Sequence, residues 1–132
     1  MAGNAVKILV VDDDPAVRAS LARVLVTDGY RVEAAGSGVD AVRMVEAGDY
    51  ALVILDLRMP NLGGLTVLQH VRARHPAIPV IVMTGFASIE NAKESIELGA
   101  FDFLLKPLDA TRIREVVARA LASGPWISQQ RC

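Results

Sequence analysis

Cysteine is almost absent from this chain: Cys132, the last of 132 residues, is the only one. A single thiol cannot form an internal disulfide, and such usage points to a reducing, cytoplasmic setting. Long hydrophobic runs are missing too, and none approaches the ~20 residues needed to cross a bilayer. The opening Met1-Ala2-Gly3-Asn4-Ala5-Val6-Lys7 has neither the positive start nor the apolar centre of a secretion signal. No sign of charge dominates. Net charge is −1 and the basic residues are scattered, so no intrinsic nucleic-acid-binding face is expected. Internal repeats and low-complexity segments are lacking as well.

What is present is apolar residues in quantity, 52% of the chain. At this length that composition suits one domain whose sheet is covered on both faces. Short apolar runs at 7–11, 31–35, 51–55, 79–83 and 102–105 read as strands. Segments of helical period separate them. Val17, Leu21, Val24 and Leu25 form one stripe, preceded by Asp14 as N-cap and Pro15 at the first helical position, and closed by Gly29. A second helix opens at Ser37, with Asp40 three residues on, and stops near Gly48. A third runs from about Leu65, after Gly63-Gly64, to Pro76, and a fourth from Ser88 to about Leu98. The fifth carries Ile113, Val116, Val117, Ala120 and Leu121 on one face and fades at Gly124-Pro125.

Five βα units in strict alternation predict an α/β fold, a doubly wound (βα)5 five-stranded parallel sheet. The flavodoxin-like strand order 2-1-3-4-5 places the first and third strands side by side at the switch point. Asp12 and Asp13 end the first of these strands and Asp56 ends the third. Crowded carboxylates repel unless a cation neutralises them or protons are taken up. An open site of a few carboxylate oxygens and a carbonyl suits a hard divalent cation such as Mg²⁺. Asp14 reads as a helix cap; Asp12 and Asp13 precede the cap, so capping does not explain them. Thr84 and Lys106 each follow a strand and reach the same edge. A hydroxyl and an ammonium beside a carboxylate cluster suit an incoming phosphoryl group. His70 and His75, on the third helix, read as solvated surface side chains, and Met44, Met59 and Met83 as packing.

Four stretches carry a resemblance: Val11-Asp12-Asp13-Asp14-Pro15, Leu55-Asp56-Leu57-Arg58-Met59-Pro60, Met83-Thr84-Gly85 and Gly99-Ala100-Phe101-Asp102-Phe103-Leu104-Leu105-Lys106-Pro107. In this order and spacing the chain resembles the CheY-like receiver domain of bacterial two-component response regulators, over roughly residues 6 to 122. The resemblance implies that Asp56 is the phosphoacceptor, taking a phosphoryl group from a sensor histidine kinase or a phosphotransfer protein. It implies Mg²⁺ as cofactor, bound by Asp12, Asp13 and Asp56 with the main-chain carbonyl of Arg58. Thr84 would bond the phosphoryl oxygens and Lys106 would pair with their charge, and the Lys106-Pro107 bond would be cis. Phe103 takes the switch aromatic position, where Tyr is common; the plain alternative is a permanent core aromatic. The implied domain is 1–122, with 123–132 a tail or truncated linker. Its output face would be the fourth helix, fifth strand and fifth helix, which in this family commonly dimerises or meets a partner. The motif variants are common among transcription regulators. No enzyme activity beyond self-phosphorylation and autodephosphorylation at Asp56 is expected, and no membrane contact.

Other classes compete on the same residues. Asp12-x-Asp14 after a first strand echoes haloacid-dehalogenase-type phosphatases, with Asp12 as nucleophile. Pro15 and Ala16 fit that motif poorly, and it leaves Asp56 without a role. A flavodoxin would need a hydroxyl- and glycine-rich phosphate loop where three aspartates stand. A receiver-like docking module would have no use for a full set of site residues.

Overall fold

The computed structural model describes residues 6–59, 62–85 and 89–123. Pro60, Ser88, Gly124-Pro125, Trp126 and Cys132 lie outside the described residues. Ten elements alternate: β1 (Lys7–Val11), α1 (Pro15–Thr27), β2 (Arg31–Ala35), α2 (Gly38–Ala47), β3 (Leu52–Asp56), α3 (Gly64–Arg74), β4 (Val80–Gly85), α4 (Ile89–Glu97), β5 (Asp102–Lys106) and α5 (Ala110–Ala122). The strands form one parallel sheet in the order β2-β1-β3-β4-β5, as the alternation predicted. Among the described residues, no helix is long and apolar enough to cross a membrane.

The helix starts follow local chemistry. Asp14 accepts the Ala16 amide at 2.9 Å and Pro15 sits in the first turn, which satisfies donors that have no intrahelical partner. Ser37 accepts the Asp40 amide at 3.1 Å to open α2. Asp109 does the same for Arg112 at 3.3 Å to open α5, a cap not expected from the sequence. Gly29 and Gly99 follow α1 and α4 at φ 94 and 108, where a side chain would be strained.

Side chains alternate across each strand, so the two faces of the sheet build two cores. Ile8, Val10, Ile54, Ile81 and Leu104 pack with Leu21 and Leu25 of α1 and Ile113 and Val116 of α5. Leu9, Val53, Leu55 and Val82 pack with Val45 of α2 and Val67 and Val71 of α3. Each fully buried Val, Leu or Ile contributes about 1.5–3 kcal/mol relative to exposure. Such rows outweigh the repulsion of a few carboxylates at their ends, so the strands hold the acids where they are.

Strand ends differ from expectation in one useful way. The ladder pairs Asp56 with Met83, Thr84 with Leu105, and Gly85 with Lys106. Asp56 and Lys106 are therefore the last rungs of their strands, and Thr84 the last but one of β4, rather than the first residues of the loops. Backbone pairing continues past the apolar runs because the neighbouring strand still offers partners. Ladder residues are held more rigidly than loop residues.

Candidate functional site

Asp12, just past β1, and Asp56, the last residue of the neighbouring β3, are treated alike by the backbone. Asp12 Oδ1 accepts the Asp14 amide at 2.9 Å, and Asp56 Oδ1 accepts the Arg58 amide at 3.0 Å. Each acid thus ties one oxygen into a turn with the residue two positions on. The other oxygen of each faces one ammonium: Lys106 Nζ lies 2.9 Å from Asp12 Oδ2 and 3.3 Å from Asp56 Oδ2. Asp12 is 0% exposed and Asp56 3%, while Asp13 is exposed. Carboxylate oxygens of Asp12, Asp13 and Asp56 lie within 4.8 Å of one another. The structure therefore brings together four of the residues singled out from the sequence.

The charges do not balance. Three acids face one lysine, which leaves two formal negative charges in a pocket where two of the carboxylates are buried. Unit charges 4 Å apart interact by about 4 kcal/mol at an effective dielectric constant near 20. Burial pushes the Asp56 carboxyl above its ordinary range. The Arg58 amide pulls it back, the charge of Asp12 raises it again, and Lys106 lowers it; the net direction is up. Burial pulls the Lys106 ammonium down, but its bond to Asp12 and the charges of Asp56 and Asp12 prevail and hold it above the usual lysine range. Lys106 is thus a fixed cation, and the excess charge of the acids matches a divalent ion held through oxygen.

Thr84 is fully buried, and its hydroxyl donates to the Gly85 carbonyl at 3.3 Å. By strand alternation Thr84 belongs with Val82 and Phe103 on the α2–α3 side of the sheet. Asp56 and Lys106 continue the rows of Ile54 and Leu104 on the other side. Phe103 is half-buried and packs against the α2–α3 core. Thr84 and Phe103 thus share the α2–α3 side of the sheet, opposite the rows that carry Asp56 and Lys106. Arg58 is exposed and meets Asp56 through its amide alone. The Lys106-Pro107 bond is cis.

Two supports were not legible in the sequence. The Arg18 guanidinium on α1 donates to the Asp12 carbonyl at 2.8 Å, gripping the turn that carries the acid. Gly64 opens α3, one residue before the start expected at Leu65. A Cβ there would overlap the Asp56 carbonyl oxygen and the Leu57 backbone, so only glycine lets α3 begin this close to the acid. A Gly-Gly pair before a helix was the available signal. Asp14 spends its side chain on the helix cap and is in no position to act as the acid/base partner of an Asp12 nucleophile.

The histidines are not simply solvated. Nε2 of His70 lies 2.8 Å and Nε2 of His75 3.3 Å from the same oxygen, Oε2 of Glu46. The two residues sit on or just past α3, and both turn toward the end of α2.

Comparison with known proteins agrees with this fold. The family model described as "Response regulator receiver domain" matches residues 8–118. The transcriptional regulatory protein ZraR of Salmonella typhimurium is 43% identical over 117 residues, which cover 89% of this chain and 26% of that protein. The regulatory protein AtoC of Escherichia coli is 35% identical over 115 residues, covering 87% of this chain and 25% of that protein. This chain thus spans about a quarter of the length of these relatives. Among solved structures, the receiver domain of NtrX from Brucella abortus superposes with a TM-score of 0.86 at 34% identity, covering 89% of this chain and 99% of that one. A CheY-like receiver domain protein from Methanospirillum hungatei also gives 0.86, at 29% identity over 91% of this chain and 96% of that one.

Proposed function

We propose, from the premise that this chain belongs to the response regulator receiver domain family, that Asp56 accepts a phosphoryl group from a phosphohistidine and that Thr84 and Phe103 transmit the result. The observation that carries this reading is the unequal treatment of the two buried acids. Asp12 Oδ2 is held by Lys106 at 2.9 Å, whereas Asp56 Oδ2 is held at 3.3 Å and is the freer nucleophile. That oxygen attacks phosphorus, the phosphorus–nitrogen bond of the donor breaks, and the imidazole leaves with the electron pair. The donor is a sensor histidine kinase or a phosphotransfer protein.

Asp12, Asp13 and Asp56, with the main-chain carbonyl of Arg58, would hold Mg²⁺, which when bound offsets the acids' charge and the charge of the incoming oxygens. Lys106, already fixed between the two carboxylates, pairs with a phosphoryl oxygen as the Asp56 carboxylate becomes an acyl phosphate. New acceptor oxygens then compete with the Gly85 carbonyl for the Thr84 hydroxyl. Thr84 moves toward them, and Phe103 fills the space on the α2–α3 side. This is a shift between two packings driven by differential contacts with the phosphoryl group. The face made by α4, β5 and α5 carries the exposed apolar residues Ile96 and Leu105, which suits a surface that dimerises or meets an output partner. Residues 1–122 act as the receiver of a cytoplasmic transcription regulator, and 123–132 as its tail or linker.

Acetyl phosphate with Mg²⁺ tests the assignment. Intact-mass analysis should show one added phosphoryl group on the wild type and none on Asp56→Asn. A variant that still gains the group rules Asp56 out.

A further inference from the structure

Helices in a parallel βαβ fold run back against the strands, so their C-terminal ends lie at the amino edge of the sheet, opposite the acids. There α2 ends at Ala47 and α3 at Arg74. Glu46, in the last turn of α2, meets His70 and His75 through a single carboxylate oxygen, at 2.8 and 3.3 Å. We propose that Glu46, His70 and His75 form a binding site for a divalent transition-metal ion that clasps α2 to α3.

Three observations carry the assignment. Both imidazoles present the same atom, Nε2, and the three ligand atoms lie within 4.8 Å of one another. Donors bound about 2.0–2.2 Å from a common ion are separated by distances of this order, so loading needs only a small opening of the present contacts. The two imidazoles are borderline donors that suit zinc, nickel and copper and not Mg²⁺, and the carboxylate adds charge to the set. The positions are also half-fixed. The side chains of His70 and His75 are 27% exposed and that of Glu46 35%, and α2 and α3 share a buried core beneath them.

The charges of the surroundings are mixed. Two helix C-termini present carbonyl oxygens and favour a cation. Arg74 opposes it but lies 3.4 Å from Oε1, leaving Oε2 to the ion. An imidazole binds a metal ion through an unprotonated nitrogen, so both Nε2 atoms would meet the ion as neutral ligands. A solvent molecule would complete the shell.

Zinc chloride titrated calorimetrically into the full chain, in excess Mg²⁺ to occupy the strand-edge acids, tests the site. Uptake of a single zinc with micromolar or tighter affinity, accompanied by a rise in Tm, is expected for the wild type and for Cys132→Ser. His70→Gln and His75→Gln should each weaken binding by about tenfold or more and abolish the rise in Tm. Because the chain has only two histidines, the wild type offers a second readout that needs no variant. Zinc must shift the imidazole NMR signals of both. Wild-type affinity in either histidine variant, loss of uptake in Cys132→Ser, or an unshifted imidazole would each overturn the proposal.

Discussion

The two ends of the sheet solve opposite problems. At the carboxyl edge three acids surround one lysine, while at the amino edge two histidines and an arginine close on one glutamate. The acids stand at the ends of buried strands, with Asp12 and Asp56 almost wholly out of water. The amino-edge cluster is half-exposed and sits on helix ends. Burial makes the first cluster's imbalance costly and its geometry persistent, because backbone amides and two cores hold it. The second cluster is held by side chains that water and salt screen. A site that must wait for a phosphoryl group needs the former kind of rigidity. A clasp that an ion completes can use the latter.

Removing Lys106 at one end and Arg74 at the other should separate the two most sharply. Lys106→Met leaves Asp12 and Asp56 facing each other, and stability should fall by about 2 kcal/mol in urea melts. That is less than the ~3–5 kcal/mol typical of breaking a fully buried pair, because Lys106 is 29% exposed. Equal stability of variant and wild type would mean the pocket already relaxes its repulsion by other means.

Asp56→Asn should act in the other direction and more weakly. The Asp56 carboxyl is raised in the folded protein, from an unfolded value of about 4. A raised carboxyl contributes stability below that unfolded value, and the contribution is lost as pH rises through the folded one. At neutral pH, without Mg²⁺, the ionised group is a cost that the amide removes. The variant should melt about 3 °C higher there, and the gain should vanish as pH falls below the unfolded value. A gain that persists in acid would point to packing instead of charge. Smallest of all, Arg74→Met at the amino edge should leave Tm unchanged, since Arg74 is 62% exposed and surface pairs contribute little. A fall comparable to that of Lys106→Met would erase the contrast between the edges.

Much of the carboxyl edge was legible beforehand. Asp12, Asp56, Thr84 and Lys106 each close an apolar run, and parallel strands carry all such ends to one edge. Their side-chain roles needed less information than their meeting. The amino edge was not legible for a geometric reason. His70 and His75 are five apart, about 140° around an ideal helix, so periodicity sets them on different faces. His75 leaves the helix at φ −136, ψ 62 and swings back toward Glu46, which is 24 and 29 residues away from the two histidines. Gly64 was hidden in the same way, since its constraint comes from the backbone beside Asp56 and not from its own neighbours in the chain.

The amino-acid sequence by itself determined the alternation of elements, the parallel sheet and the edge at which the acids meet. These follow from local periodicity, capping chemistry and the handedness of crossovers, all of which act over short stretches. Only the tertiary structure decided which oxygen of each acid faces Lys106 and that two histidines share one glutamate oxygen. Those features depend on contacts between distant segments at ångström scale. There the direction of a side chain is set by its packing and not by its place in a pattern.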